Sequence, residues 1–146
     1  VPMQIRRFER KDYDQWLPLW QENCAHKIAD DITAETWRRL THPKESVGGL
    51  GVFTPDDKMI GLLHYVVHPT TGFIHHVCYM QDIFITQDHR KQGLAKRLLW
   101  ELQDLKKTQN WARIYWFAEN NNVAAQNLYK TVGIKMDFSL HMIQDL

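Results

Sequence analysis

Residues 87–99, QDHRKQGLAKRLL, gather Arg90, Lys91 and Lys96 around one glycine, Gly93, at the entrance to an apolar-periodic run. The first backbone N–H groups of a helix have no intrahelical acceptor and the helix dipole is positive there. Anions settle at such a place, phosphates above all. Gly93 has no side chain to keep a ligand off the backbone, and the three cations add charge. The spacing is neither G-x-x-x-x-G-K-[ST] nor G-x-G-x-x-G, which sets aside a Walker-type or dinucleotide-type loop. Taken alone, R-x-x-G-x-A fits a phosphate seat and a solvated helix start equally well.

Asp82 is the second position with chemical potential, because Met80, Ile83 and Phe84 surround it in an otherwise apolar run. A carboxylate in such a strand costs free energy unless it has partners, so a functional group and a paired structural one both fit. His64, His68, His75 and His76 could be gathered by a turn at 69–72, yet no Cys or carboxylate joins them at zinc-ligand spacing. They read as exposed strand histidines that line a cleft, and no metal site is expected. Cys24 and Cys78 lie far apart with no activating base nearby, as in a reducing compartment.

These residues need elements to hold them. MQIRRFE alternates as a first strand, and Asp12 reads as the cap of a helix reaching about His26, with Trp16, Leu17 and Trp20 on one face. Pro18 within it predicts a kink or a late start. A second helix is expected from Thr33 through Trp37 and Leu40 until His42-Pro43. Residues 46–54 and 58–68 flank Pro55-Asp56-Asp57 and read as a hairpin, followed by a strand from about His75 to Ile85. Leu94, Leu98, Leu99, Leu102 and Leu105 form the stripe of a helix starting near Gly93. Residues 112–118 are apolar on both faces, as a central strand would be. Asn122 then caps a short helix with Gly133 just past its end, and 134–143 alternate as a final strand. The order β–α–α–β–β–β–α–β–α–β describes an α/β protein, a mixed sheet with helices on both faces. Residues 76–118 supply its parallel strand–helix–strand unit.

The chain has 146 residues, 44% of them hydrophobic and 24% charged, which suits one soluble domain over 1–146. A net charge of +1 argues against a general nucleic-acid or membrane-surface binder. No stretch approaches the roughly 20 apolar residues of a membrane span, and the N-terminal residues lack a signal-peptide core. The expectation is a cytoplasmic protein.

Two spaced motifs together resemble the GNAT N-acetyltransferase superfamily. Its pyrophosphate loop, Q/R-x-x-G-x-G/A after the fourth strand, is matched by Arg90, Gly93 and Ala95 behind YMQDIFI at 79–85. Its second signature, N-x-x-A-x-x-L-Y-x-x-x-G, is matched by Asn122, Ala125, Leu128, Tyr129 and Gly133. The likeness extends through WLPLWQ and TWRRL over nearly the whole chain, and is similar to the bacterial branch grouped with histone- and polyamine-type acetyltransferases.

The resemblance implies a mostly antiparallel GNAT-type sheet with a central parallel unit. It also implies transfer of acetyl from acetyl-CoA to a primary amine of a small molecule or protein. The pyrophosphate would sit on the amides of Lys91, Gln92, Gly93, Leu94, Ala95 and Lys96, with Arg90 beside it. The backbone of Ile83, Phe84 and Ile85, with Asn122 and Ala125, would hold the pantetheine arm. Tyr129 matches the general acid. Asp82 would be a base acting through water or a binder of a cationic acceptor, with Glu119 as the alternative. Gln81 stands where polyamine enzymes typically carry Glu, and Asp30 and Asp31 fall in the acceptor loop. A homodimer is the family's common state. The competing function is a module of the same fold that binds acyl-CoA without turnover.

Overall fold

The computed structural model describes residues 2–145. Five strands, β1 (Gln4–Arg7), β2 (Val47–Phe53), β3 (Met59–His68), β4 (Val77–Ile85) and β5 (Ile114–Tyr115), form one sheet in that order. The first three pairings are antiparallel and β4–β5 is parallel. Helices α1 (Tyr13–Asn23) and α2 (Asp30–Thr41) cover one face, while α3 (Leu94–Gln109) and α4 (Val123–Lys130) cover the other. The expected α/β architecture with helices on both faces is therefore what forms.

Each face has its own core. Trp16 and Leu40 pack with Phe8, Phe53, Met59 and Leu62 under α1 and α2. Leu94, Leu98, Leu99 and Leu102 bury the stripe of α3 against Leu63, Tyr65, Cys78 and Met80. Each buried leucine contributes about 2 kcal/mol, so a helix with four of them is held chiefly by its sheet contacts.

Several local expectations change. The first helix ends at Asn23, short of His26, and continues through Pro18. Asp12 occupies its N-cap position, but its side chain makes no cap bond. The carboxylate instead takes Arg6 in two bonds of 2.8 and 3.0 Å and the Glu9 amide at 2.7 Å. A second helix begins at Asp30, not Thr33, so Asp30 and Asp31 form its first turn, where acidic residues suit the dipole. Residues 112–118 supply only the two-residue β5, at the edge of the sheet. No strand forms in 134–145, and the outer edge of β5 has no partner strand among the described residues. The apolar row of this segment, at its even-numbered positions, is left exposed, with Phe138 at 81%.

Candidate active site

The β4–β5 ladder is very short. Cys78 pairs with Ile114 and Tyr79 with Tyr115, and there the pairing stops. The two strands then part, leaving the β5-facing backbone edge of β4 open from Met80 onward. Ile83, Phe84 and Ile85 lie along that open edge.

At the C-terminal end of β4 the chain turns through Thr86 and a short 3-10 segment, Gln87–His89, into α3. Gly93 is the N-cap of α3 with φ of 76°, and Lys91 also has a positive φ of 62°. Two left-handed residues within three positions curl the backbone and aim successive amides into one concavity. No side chain caps the helix, and its first intrahelical bond runs from the Arg97 amide to Gly93 O at 3.0 Å. The amides of Leu94, Ala95 and Lys96 thus lack intrahelical acceptors, while the Leu94 side chain is buried in the core.

Arg90 folds back so that Nε donates to Ile85 O at 2.8 Å, with the guanidinium 5.5 Å from the Phe84 ring centroid. A cleft of about 270 Å³ opens here, and Ile85, Arg90, Lys91, Gly93, Ala95 and Lys96 line one side of it. Ala124 and Leu128 of α4 line the other. Of the second sequence motif, Leu128 thus shares one cleft with the loop, while Asn122, Ala125 and Tyr129 do not line it. An uncapped helix start, two left-handed residues and three cations fit a pyrophosphate.

Asn122 caps α4: its side chain accepts the Ala125 amide at 3.1 Å, which occupies its oxygen and leaves its NH₂ free to donate. Tyr129 packs on Trp116 with ring centroids 5.2 Å apart and reaches the α3-side core. Burial pushes its phenol above the ordinary value, so it keeps its proton at neutral pH.

Asp82 owes its orientation to an irregularity. His64 pairs with Asp82 and Tyr65 with Met80, so Gln81 is an extra residue in β4. Such a bulge re-aims the side chains that follow it. Met80 faces the α3 core, whereas Asp82 lies with His64 and Phe84 on the α1 face. There Oδ2 of Asp82 lies 3.1 Å from His64 Nδ1, and Asn23 Nδ2 donates to Oδ1 at 3.4 Å. The indole N–H of Trp16 donates to His64 Nε2 at 3.0 Å. Both readings of Asp82 thus keep their footing: it is paired, and its side chain is still 22% exposed.

His64 is no exposed strand histidine; it is 3% exposed, among Phe8, Trp16 and Trp20. His68 bonds the Tyr115 hydroxyl through Nε2 at 2.7 Å, and among the described residues no His, Cys, Asp and Glu side chains gather as metal ligands. Tyr79 stacks on Tyr115 at 5.2 Å, and Phe117 contacts both, giving an aromatic shelf on the α1 face beside the parting strands. Burial, then the charge of Asp82, raises the Tyr79 phenol. Sequence reasoning missed this shelf, although the alternation of Arg113, Tyr115 and Phe117 was its signal.

Burial and the Asp82 charge raise the Cys24 thiol, and burial pushes Cys78 up to about 12, so neither is a ready thiolate. Asp30 lines a separate cleft of about 300 Å³ with Gln21, Cys24, His26 and Lys27 at the α1–α2 connection. Asp31 is exposed and turns its Oδ1 to its neighbour's amide, that of Ile32, at 2.9 Å. Glu119 is exposed and its carbonyl accepts from the Gln126 side chain.

The chain is similar to known N-acetyltransferases. A D-amino-acid N-acetyltransferase of Saccharomyces cerevisiae is 27% identical over 141 residues, 94% of this chain and 88% of that protein. A ribosomal-protein-alanine N-acetyltransferase from Brucella melitensis biovar Abortus 2308 has the same fold, with a TM-score of 0.80 at 20% identity over 99% of this chain and 100% of that one. The aminoglycoside 6'-N-acetyltransferase AAC(6')-Ih from Acinetobacter baumannii also has a TM-score of 0.80, at 16% identity over 99% of each chain. At such identities the structural likeness establishes fold alone. The model of the Acetyltransferase (GNAT) family matches residues 5–134, and the chain belongs to that family.

Proposed function

We propose that this protein transfers an acetyl group from acetyl-CoA to the primary amine of a small molecule, with the coenzyme phosphates on the 91–96 loop. The cleft shared by that loop and α4 carries the reading, because it brings the loop and Leu128 of the second motif to one ligand-sized space at the open edge of β4. Backbone amides along 83–85 suit an extended arm that pairs like an added strand, and one amide can polarise the thioester carbonyl.

The chemistry is direct. An amine of pKa about 10.4 must lose a proton before its nitrogen attacks the carbonyl carbon. Asp82 receives that proton, directly or through water. As the C–S bond breaks, the departing thiolate (conjugate pKa about 8.5) takes a proton from the Tyr129 hydroxyl. The raised phenol of Tyr129 suits this role, since a group that is protonated at neutral pH can donate.

Tyr129→Phe is expected to lower kcat by about a hundredfold or more, with acetyl-CoA affinity within twofold of the wild type. Thiol release over a panel of amino acids of both configurations, aminoglycosides, polyamines and peptides identifies the acceptor. The D-amino acids come first because of the yeast relative's activity. A wild type that binds acetyl-CoA and acetylates nothing supports the silent acyl-CoA-binding module instead.

We also infer a homodimer. Exposed Ile134, Met136, Phe138 and Leu140 alternate in a segment without a strand partner, an apolar row that a second copy of the chain would cover.

A further inference from the structure

We propose that His64 is a positioning residue for this site: Trp16 locks its imidazole in the Nδ1–H form, and that N–H fixes the carboxylate of Asp82. The inference rests on the reading of Asp82 as the carboxylate that meets the acceptor amine.

The lock follows from what each group can do. An indole N–H only donates, so at 3.0 Å His64 Nε2 must offer its lone pair. The ring proton of neutral His64 is then on Nδ1, the nitrogen 3.1 Å from Asp82 Oδ2. The imidazole thus donates to the carboxylate and accepts from the indole, in a chain with a defined direction. A histidine free to exchange tautomers would present a lone pair to Asp82 part of the time and repel it. Here the donor-only neighbour prevents that exchange.

The surroundings hold the chain rigid. Trp16 is fully buried, stacks on Trp20 at 5.7 Å and touches Trp37 at 4.9 Å. His64 meets Phe8 edge-on at 5.9 Å. Exposure rises along the chain, from none at Trp16 to 22% of the side chain at Asp82, so the carboxylate is the end that reaches solvent. The bulge at Gln81 turns Asp82 onto this face, and Asn23 at the end of α1 takes its other oxygen. A side chain held by two bonds from two elements has lost its rotamer freedom before a substrate arrives, which is how orientation lowers a barrier. The α1 helix therefore does more than cover the sheet: through Trp16 and Asn23 it sets a reacting-side group on β4.

The first test is spectroscopic and needs no substrate. Long-range ¹H–¹⁵N correlation on labelled protein at neutral pH is expected to show His64 with Nδ1 protonated and Nε2 bare. A proton on Nε2 overturns the proposal. The second test is kinetic, on variants whose circular dichroism matches the wild type. With the best acceptor of the panel, His64→Phe keeps a ring but removes the donor, and should lower kcat about tenfold or more with acetyl-CoA affinity unchanged. His64→Asn restores an N–H near the Nδ1 position and should recover most of that loss. A purely structural histidine would instead show equal losses in both variants, following stability. Should His64→Phe fail to fold, the spectrum and the partial recovery in His64→Asn relative to His64→Ala decide. If Asp82→Asn abolishes turnover and His64→Phe does not lower kcat, the positioning role falls alone. An unchanged kcat in Asp82→Asn overturns the underlying reading of Asp82 and this proposal with it.

Discussion

Asp12 shows how far a residue's role depends on contacts beyond its neighbours in sequence. Its place just before a helix predicts a cap, yet its carboxylate is 1% exposed and bonded to Arg6 of β1. Burial would push the Asp12 carboxyl up, but the Arg6 guanidinium and the Glu9 amide outweigh it, and it is held below its ordinary value. A carboxylate depressed on folding stabilises fully above its unfolded pKa of about 3.9, and that stability is lost as pH falls through the folded value. Asp12→Asn leaves Arg6 facing a neutral partner and should cost about 3 kcal/mol at pH 7. The difference from wild type should shrink as pH falls below about 4, as urea unfolding across pH 2–7 would show. A constant difference across that range would mean that the ion pair is not its source. The places of Gly93 at a helix start and of Tyr129 within a helix were legible from local spacing. The pairing of Asp82 with His64 was not, because the two residues lie eighteen positions apart on different strands.

At the scale of elements, α3 joins fold to function. Its leucine stripe binds it to the sheet while its uncapped first turn faces the cleft. Gly93→Ala separates these roles. A Cβ at Gly93 meets nothing within 4 Å, so the cost is the left-handed backbone alone, about 1–2 kcal/mol. The melting temperature should fall by a few degrees. Because the loop relaxes away from that geometry, the dissociation constant for coenzyme A should rise about tenfold or more, which calorimetric titration would measure. Coenzyme binding at wild-type strength in this variant would remove the loop from the proposed phosphate seat. Hairpin and α3 positions were readable because their signals are local: Pro55-Asp56-Asp57 at a turn and leucines at helical spacing. The extent of β5 was not. Apolar residues on both faces do not say where two strands stop pairing, and here they part after Tyr115 to leave the edge of β4 open.

For the whole molecule, the sheet separates two kinds of work. Elements α3 and α4 flank the cleft proposed for the coenzyme, and the α1 face carries Asp82 and the aromatic shelf. Residues 134–143 add an apolar row outside both cores. If a second copy covers it, sedimentation should show a dimer at micromolar concentration. Phe138→Ser with Leu140→Ser should then shift the protein to a monomer while circular dichroism is unchanged. A wild-type monomer at every concentration would refute the dimer. Sequence alone determined the order of elements from the first strand to the helix after Asn122, and the two motifs, because helical spacing, turn residues and a glycine before a helix act over a few positions. Only the tertiary structure decided that Gln81 is a bulge, that Asp82 therefore faces His64, and that the final alternating segment finds no partner. Strand register and pairing come from contacts between distant segments, and a side chain's face reverses with one added residue.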